Sequence, residues 1–309
     1  MPHRNITPSP TRLDRLGRGR KWPLYLPSSR AEGGRTTHWG SAIFLAGLLF
    51  ASPAWAEPLG WRYEIMWGGF HAGDMAVTTE TKDKSVQTGM TIRTVGLFDK
   101  FLHLRFAAEG GGRETGGTEL GSVRYQTRFS NRYQERLLVL AFAGGEATTV
   151  RDEILAVFAP PPEDEPAPTV PPEARRGVGD PLTNLAILGR KARQAVSAGT
   201  TTAFHLASYD GRRAYDFRVE VKGARRISIH DRDFDTIELA MVLRPVAGFK
   251  PRFQKAWDGA EYIVHLDPES LLPLRIQTDG FAAALVINAL EPCRIAAEQC
   301  APLLAAGEP

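Results

Sequence analysis

The chain has 309 residues, with 38 Lys and Arg against 35 Asp and Glu, for a formal charge of +3. Eight of those cations and only two of the acids fall in residues 1–56, so the rest carries 30 basic and 33 acidic groups, a balance of about −3. The basic total therefore gives no indication of nucleic acid, and no stretch after residue 56 is apolar for the roughly 18 residues that mark a membrane-spanning helix.

In chain order, the first signal is the uncharged run Ala42–Ala51, broken by Ser52 and Pro53 and followed by Ala54-Trp55-Ala56. It is too short for the ~30 Å of hydrocarbon that takes about 20 helical residues. It fits the apolar segment and small-residue cleavage site of a secretory signal with a long basic n-region. Cleavage is expected between Ala56 and Glu57, giving a periplasmic or secreted protein without a transmembrane segment. No cysteine lies near residue 57 to serve as a lipid anchor.

Strand patterns then dominate. In Ala214–Lys222, Tyr215, Phe217, Val219 and Val221 alternate with Asp216, Arg218, Glu220 and Lys222, the period of two of a half-buried antiparallel strand. Similar runs are Trp61–Trp67, Met75–Thr81, Met90–Thr94, Leu102–Ala107, Leu137–Phe142, Ala203–Ser208, Ile227–His230, Thr236–Leu243, Glu261–Leu266, Leu274–Thr278 and Ala283–Leu290. Gly68-Gly69, Gly110-Gly111-Gly112, Gly144-Gly145, Asp210-Gly211 and Asp258-Gly259 read as turns between them. One helix is expected near residues 180–198: Asp180 can cap it, Pro181 suits the first helical position, and Leu182, Leu185, Leu188, Ala192 and Ala195 recur at helical spacing. The fold expected is mainly β, a single domain of curved antiparallel sheet (a sandwich or a partly closed barrel) over residues 57–290. The Pro-rich stretch 159–176 reads as a disordered insertion, since proline lacks the donor a sheet needs, and 291–309 as a C-terminal tail.

Chemistry-bearing patterns are few. Arg124, Arg128, Arg132 and Arg136 stand four apart and, in one continuous strand, would share a face as a basic stripe, with Tyr125, Phe129 and Tyr133 on the other. The competing interpretation is a solvated face paired with acids on neighbouring strands. Asp231, Asp233 and Asp235 suggest calcium, but Thr236 and Val242 stand where the calcium loop needs Gly and Glu, so an acidic turn is expected. Cys293 and Cys300 are a candidate disulfide for an oxidising compartment, which requires the intervening residues to turn back, since a helix would separate them by ~10.5 Å. The histidines form no metal-binding motif, no nucleophile elbow or phosphate loop is present, and no catalytic residue or cofactor is assigned.

The segments YEIMWGGFHAGDM (Tyr63–Met75), DPLTNLAIL (Asp180–Leu188), YDGRRAYDFRVEV (Tyr209–Val221) and LPLRIQTDG (Leu272–Gly280) together resemble the bacterial "domain of unknown function 3108" family of exported proteins. The resemblance implies one mostly antiparallel β domain containing the helix, and carries no activity with it. The function expected is a non-catalytic binding or envelope-assembly factor with an apolar or lipid ligand. The alternatives are an envelope glycan- or lipid-acting hydrolase using carboxylates, and an interaction module using the basic strand face.

Overall fold

The structure is a computed structural model that describes residues 59–115, 119–160, 166–279 and 283–294. Its strands are β1 Leu59–Trp67, β2 Phe70–Lys82, β3 Ser85–Thr94, β4 Arg105–Thr115, β5 Glu119–Ser130, β6 Gln134–Ala143, β7 Glu146–Val157, β8 Ala203–Tyr209, β9 Ala214–Ile229, β10 Arg232–Ala247, β11 Glu261–Leu266, β12 Pro273–Thr278 and β13 Leu285–Arg294. The helices are α1 Gly96–Leu102, α2 Pro181–Ser197 and α3 Pro251–Trp257, with a single 3-10 turn at Pro172–Arg175.

All thirteen strands form one antiparallel sheet in the order β7-β6-β5-β4-β3-β2-β1-β13-β12-β11-β10-β9-β8. The chain meanders from β1 out to one edge at β7, crosses through a connector and α2 to the other edge at β8, and meanders back to β13. There β13 pairs with β1, with Ile65 opposite Ile287. Neighbouring strands twist relative to one another, so a sheet this wide curls, and here it forms a nearly closed barrel. The two runs Ala214–Lys222 and Ile227–His230 belong to one long strand, β9, ending at Ile229; the expected alternation holds at Val219 and Val221, buried, and Arg218 and Lys222, exposed, but fails at Asp216, which is buried beside His205.

α2 lies against the concave face. Asp180 accepts hydrogen bonds from the N–H groups of Leu182 (3.0 Å) and Thr183 (2.9 Å), and Pro181 occupies the first turn, where no N–H is needed. Leu182 joins Tyr125, Leu138, Leu140 and Tyr209, and Leu185 packs on the cluster of Tyr63, Met75 and Leu274. Leu188, Ala192 and Ala195 join Val219, Leu239 and Leu266. Every apolar position of the helical repeat is thus used on the interior of the barrel.

This placement explains the glycine run 110–112, which the sequence suggests is a turn but which lies inside β4. A Cβ on Gly110 would stand 2.5 Å from Asp180 Oδ1 and 2.7 Å from Leu182 Cβ, and one on Gly112 would stand 2.7 Å from Thr183 Cγ2. Side chains are absent there because the start of α2 occupies their space. Three other expectations are revised. Arg124–Arg136 is two strands, because Asn131 Oδ1 accepts from the N–H groups of Tyr133 (2.8 Å) and Gln134 (3.0 Å) and turns the chain. Leu102 ends α1 and does not start a strand. The later part of the stretch 159–176 is packed: Val170 is buried, Arg175 donates to its carbonyl (2.6 Å), and Arg176 bridges Glu146.

Candidate functional site

The barrel does not close by pairing its own edges. A four-residue segment, 176–179, stretches between them. The Gly177 N–H donates to the Gly145 carbonyl (2.7 Å) at the start of β7, and the Gly179 N–H to the Ala207 carbonyl (2.9 Å) of β8. The Tyr209 N–H donates back to Gly179 (2.9 Å). Asn184 of α2 reaches the same place, donating to the Ala207 carbonyl (3.0 Å) and to Ser208 Oγ (2.6 Å). So the run Asp180-Pro181-x-x-Asn184 has three separate tasks: capping the helix, starting it and fastening it to the edge strand.

Beside this seam a cleft of about 780 Å³ opens, bordered by β4, β5, β6, the connector, α2 and β8. Its apolar lining includes Leu120, Val123, Phe142 and Ile187. Its cations are Arg113, Arg190 and Lys191. Arg190 is neutralised by Glu114 at 2.9 Å, tying α2 to β4. Arg113 is exposed and enters no ion pair among the described residues, and Lys191 lies over the Phe204 ring at 5.2 Å, still solvated. At the start of α2, Asp180 is fully buried and its Oδ2 has no hydrogen-bond partner among the described residues. Burial pushes its carboxyl above the ordinary range, against the hydrogen bonds it accepts at the helix start. Burial likewise raises the Tyr125 phenol above its own ordinary value, with smaller pushes from Tyr215, Asp210 and Asp180.

Across the connector a second, shallower hollow of about 370 Å³ shares His205 and Ala207 with the first. It contains Asp216, whose side chain is 8% exposed, with its Oδ2 2.7 Å from His205 Nδ1 and 3.4 Å from Arg244 Nη2. Asp216 Oδ1 has no hydrogen-bond partner among the described residues. His205 and Asp216 are brought together by the β8–β9 register, in which Asp216 faces Ala207 and Arg218 faces His205. Among the described residues no group of three or more His, Cys, Asp or Glu gathers to hold a metal, and no helix is long and apolar enough to cross a membrane.

The four arginines of the expected stripe are divided. Arg124 and Arg128 lie on β5, Arg132 in the turn, and Arg136 on β6 opposite Phe129, which places it on the other face from Arg128. Arg128 pairs with Glu135 and Arg136 with Asp152. Cys293 is buried on β13, whereas Cys300, Ala56 and Glu57 lie outside the described residues. Sequence inspection missed both the seam cleft and the His205–Asp216 pair. Asn184, four residues after a well-marked cap and on the buried side, was the one readable sign of the first.

The profile of the family described as "Protein of unknown function (DUF3108)" matches residues 62–280, from β1 to the end of β12. The chain belongs to this family. The fold also has distant likenesses among solved structures. A β-barrel-like protein of domain of unknown function DUF1849 from Brucella abortus is 8% identical, with 78% of this chain and 99% of that chain covered and a TM-score of 0.45. A candidate lipoprotein from Parabacteroides distasonis is 7% identical, with 77% and 96% covered and a TM-score of 0.29. No curated protein matches. DUF3108 membership assigns no activity.

Proposed function

We propose that this DUF3108 protein is an exported, non-catalytic binding or assembly factor of the cell envelope, and that it holds an acidic amphiphile such as a lipid in the seam cleft. The observation that supports this most is the cleft's mixed lining. Phe142, Ile187 and Leu120 offer apolar surface beside Arg113 and Lys191, cations with no acidic partner among the described residues. Its volume lies within the range of small-molecule pockets, roughly 300–1,000 Å³. α2 packs along the barrel interior, which favours the seam over a central cavity as the place for the ligand.

The test is native mass spectrometry with lipid extraction of protein purified from the exported fraction. A co-purifying acidic lipid, reduced in Arg113→Ala with Lys191→Ala, is the expected result. No retained lipid, together with no binding of added fatty acid, overturns it. The address itself rests on Ala42–Ala56, and N-terminal sequencing of exported protein should begin at Glu57. The same sample should carry the Cys293–Cys300 disulfide, read as a two-hydrogen mass change on reduction.

A second reading is hydrolytic, and the His205–Asp216 contact favours it, since a buried carboxylate orients an exposed imidazole as a general base requires. Loss of ester or glycan hydrolysis in His205→Ala, with lipid retention intact, would replace the first reading by this one.

A further inference from the structure

The far end of the β1–β7 half carries a crest of exposed apolar side chains. The β1–β2 hairpin turns through Gly68 and Gly69, both at positive φ, and raises Trp67 and Phe70 at its tip, 39% and 72% exposed. Beside it α1 buries none of its residues. Leu97, Phe101 and Leu102 are 64%, 61% and 51% exposed, and Phe98 meets the Trp67 ring edge-on at 5.5 Å.

α1 is attached by its polar side chain, not its apolar ones. Asp99 accepts from Thr94 Oγ1 (2.8 Å) and Arg105 NH1 (2.6 Å), and the arginine holds its carboxyl down at about 2. Arg132 donates from its side chain to the Phe101 carbonyl (3.4 Å) and from its backbone N–H to the Leu102 carbonyl (3.4 Å). A short helix normally turns its apolar face to the core. This one is fastened by its polar face and presents the apolar one outward.

We infer that this crest inserts into the headgroup region of a phospholipid bilayer bearing anionic lipids, so that the barrel works docked on a membrane surface. Three features select that occupant. The surface is convex, a hairpin tip and one helix, whereas a helical partner needs a groove. The strands beneath it, β1, β2 and β3, are paired on both sides, so no strand can be added there. The charges around it favour an anionic surface: Asp74 and Asp99 are each neutralised by an arginine, Arg93 and Arg105, while Lys100 and Arg132 form no ion pair among the described residues. Trp and Phe beside Lys and Arg are the side chains that settle at the boundary between headgroups and acyl chains.

The seam ligand plays no part in this inference, so the two fail separately. The experiment is flotation of the exported protein with phosphatidylethanolamine vesicles containing phosphatidylglycerol, against vesicles of phosphatidylcholine alone. The wild type should float with the first. Phe70→Ser with Phe101→Ser should weaken partitioning by about tenfold or more, with an unchanged melting temperature because both side chains are already in water. Lys100→Gln with Arg132→Gln should lose about fivefold per cation on the anionic vesicles, and nothing at high salt. Failure of the wild type to float, or flotation of Phe70→Ser/Phe101→Ser equal to wild type, overturns the inference. So does a concentration-dependent dimer in size-exclusion chromatography that the same double variant abolishes, since the crest would then be covered by a second copy.

Discussion

Gly189 sits in the middle of α2, where glycine is a poor choice: in a free helix alanine would be better by about 1 kcal/mol. In the barrel the added Cβ would stand 2.6 Å from Leu271 Cβ and 3.0 Å from the Leu271 carbonyl oxygen. Carbon atoms at their best separation are ~3.5–4.0 Å apart, so the overlap is about 1 Å and cannot be relieved by rotating a side-chain end. Neither partner is free to retreat. Leu271 is held at φ 61, between a turn fastened by Asp267 to Ser270 and the buried Leu272. The helix is held at its start by Asp180 and Asn184. An overpacking cost of ~3 kcal/mol, the upper part of the usual range, less the ~1 kcal/mol of helix preference, leaves Gly189→Ala destabilised by about 2 kcal/mol. With a urea dependence of ~2–3 kcal/mol per molar, the midpoint should fall by about 0.7–1 M while the slope stays constant. Gln194→Ala, exposed on the same helix, should stay within ~0.5 kcal/mol of wild type. A Gly189→Ala midpoint equal to or above wild type would refute the seating of α2 against Leu271, and with it the filled interior.

Asp180 gives a pH test with a definite sign. Its folded pKa is raised above the unfolded value of ~3.9, so its ionised form costs stability at neutral pH, and that cost disappears as pH falls through the folded value toward 3.9. Asp180→Asn, which keeps the cap, should be at least as stable at pH 7 and should lose this acid-side gain, whereas Asp180→Ala should lose ~1–2 kcal/mol with the cap; thermal melts at pH 7 and 4.5 separate them. Val170→Ala, under the connector, should cost ~1–2 kcal/mol in urea melts because the side chain is 4% exposed, and an unchanged midpoint would mean that the connector does not pack. In β9, Phe217→Ala should cost about 3 kcal/mol, since its ring meets Tyr215 and Tyr262 edge-on at 5.7 Å, while Arg218→Ala should stay within ~0.5 kcal/mol; equal midpoints would deny the register.

Why some of this was legible and some was not follows from the range of each interaction. A strand's period of two is set by its own backbone, so β11, Glu261–Leu266, matches the boundaries expected from its residues. The α2 cap is also local, and Asp180-Pro181 marks it plainly. The misread places are those where a distant element decides. Glycine at 110–112 signals a turn unless a helix some 70 residues later needs the space, as it does here. The arginine spacing of four runs unbroken through Asn131, a turn residue without an accompanying glycine, and the turn then places Arg136 on the face opposite Arg128. α1, seven residues long, is too short to show a period, and its outward apolar face depends on Thr94 and Arg105.

The seam has the same logic and carries it to function. Thirteen strands can be written into a sequence as alternation and turns, but whether the first and last edges meet depends on the accumulated twist of all of them. Here they do not pair, and residues 176–179 bridge the gap by backbone hydrogen bonds at one end of β7 and of β8. A bridge at one end leaves an opening along the rest of the edge, and the side chains bordering that opening come from β4, β5, β6, α2 and β8, whose positions along the chain have no local relation. Arg113 of β4 and Lys191 of α2, far apart in the chain, border the same cleft because α2 lies against the barrel interior. The proposed ligand site is therefore a product of incomplete closure, and a change that let β7 pair directly with β8 is expected to raise stability and, on that proposal, to remove lipid retention.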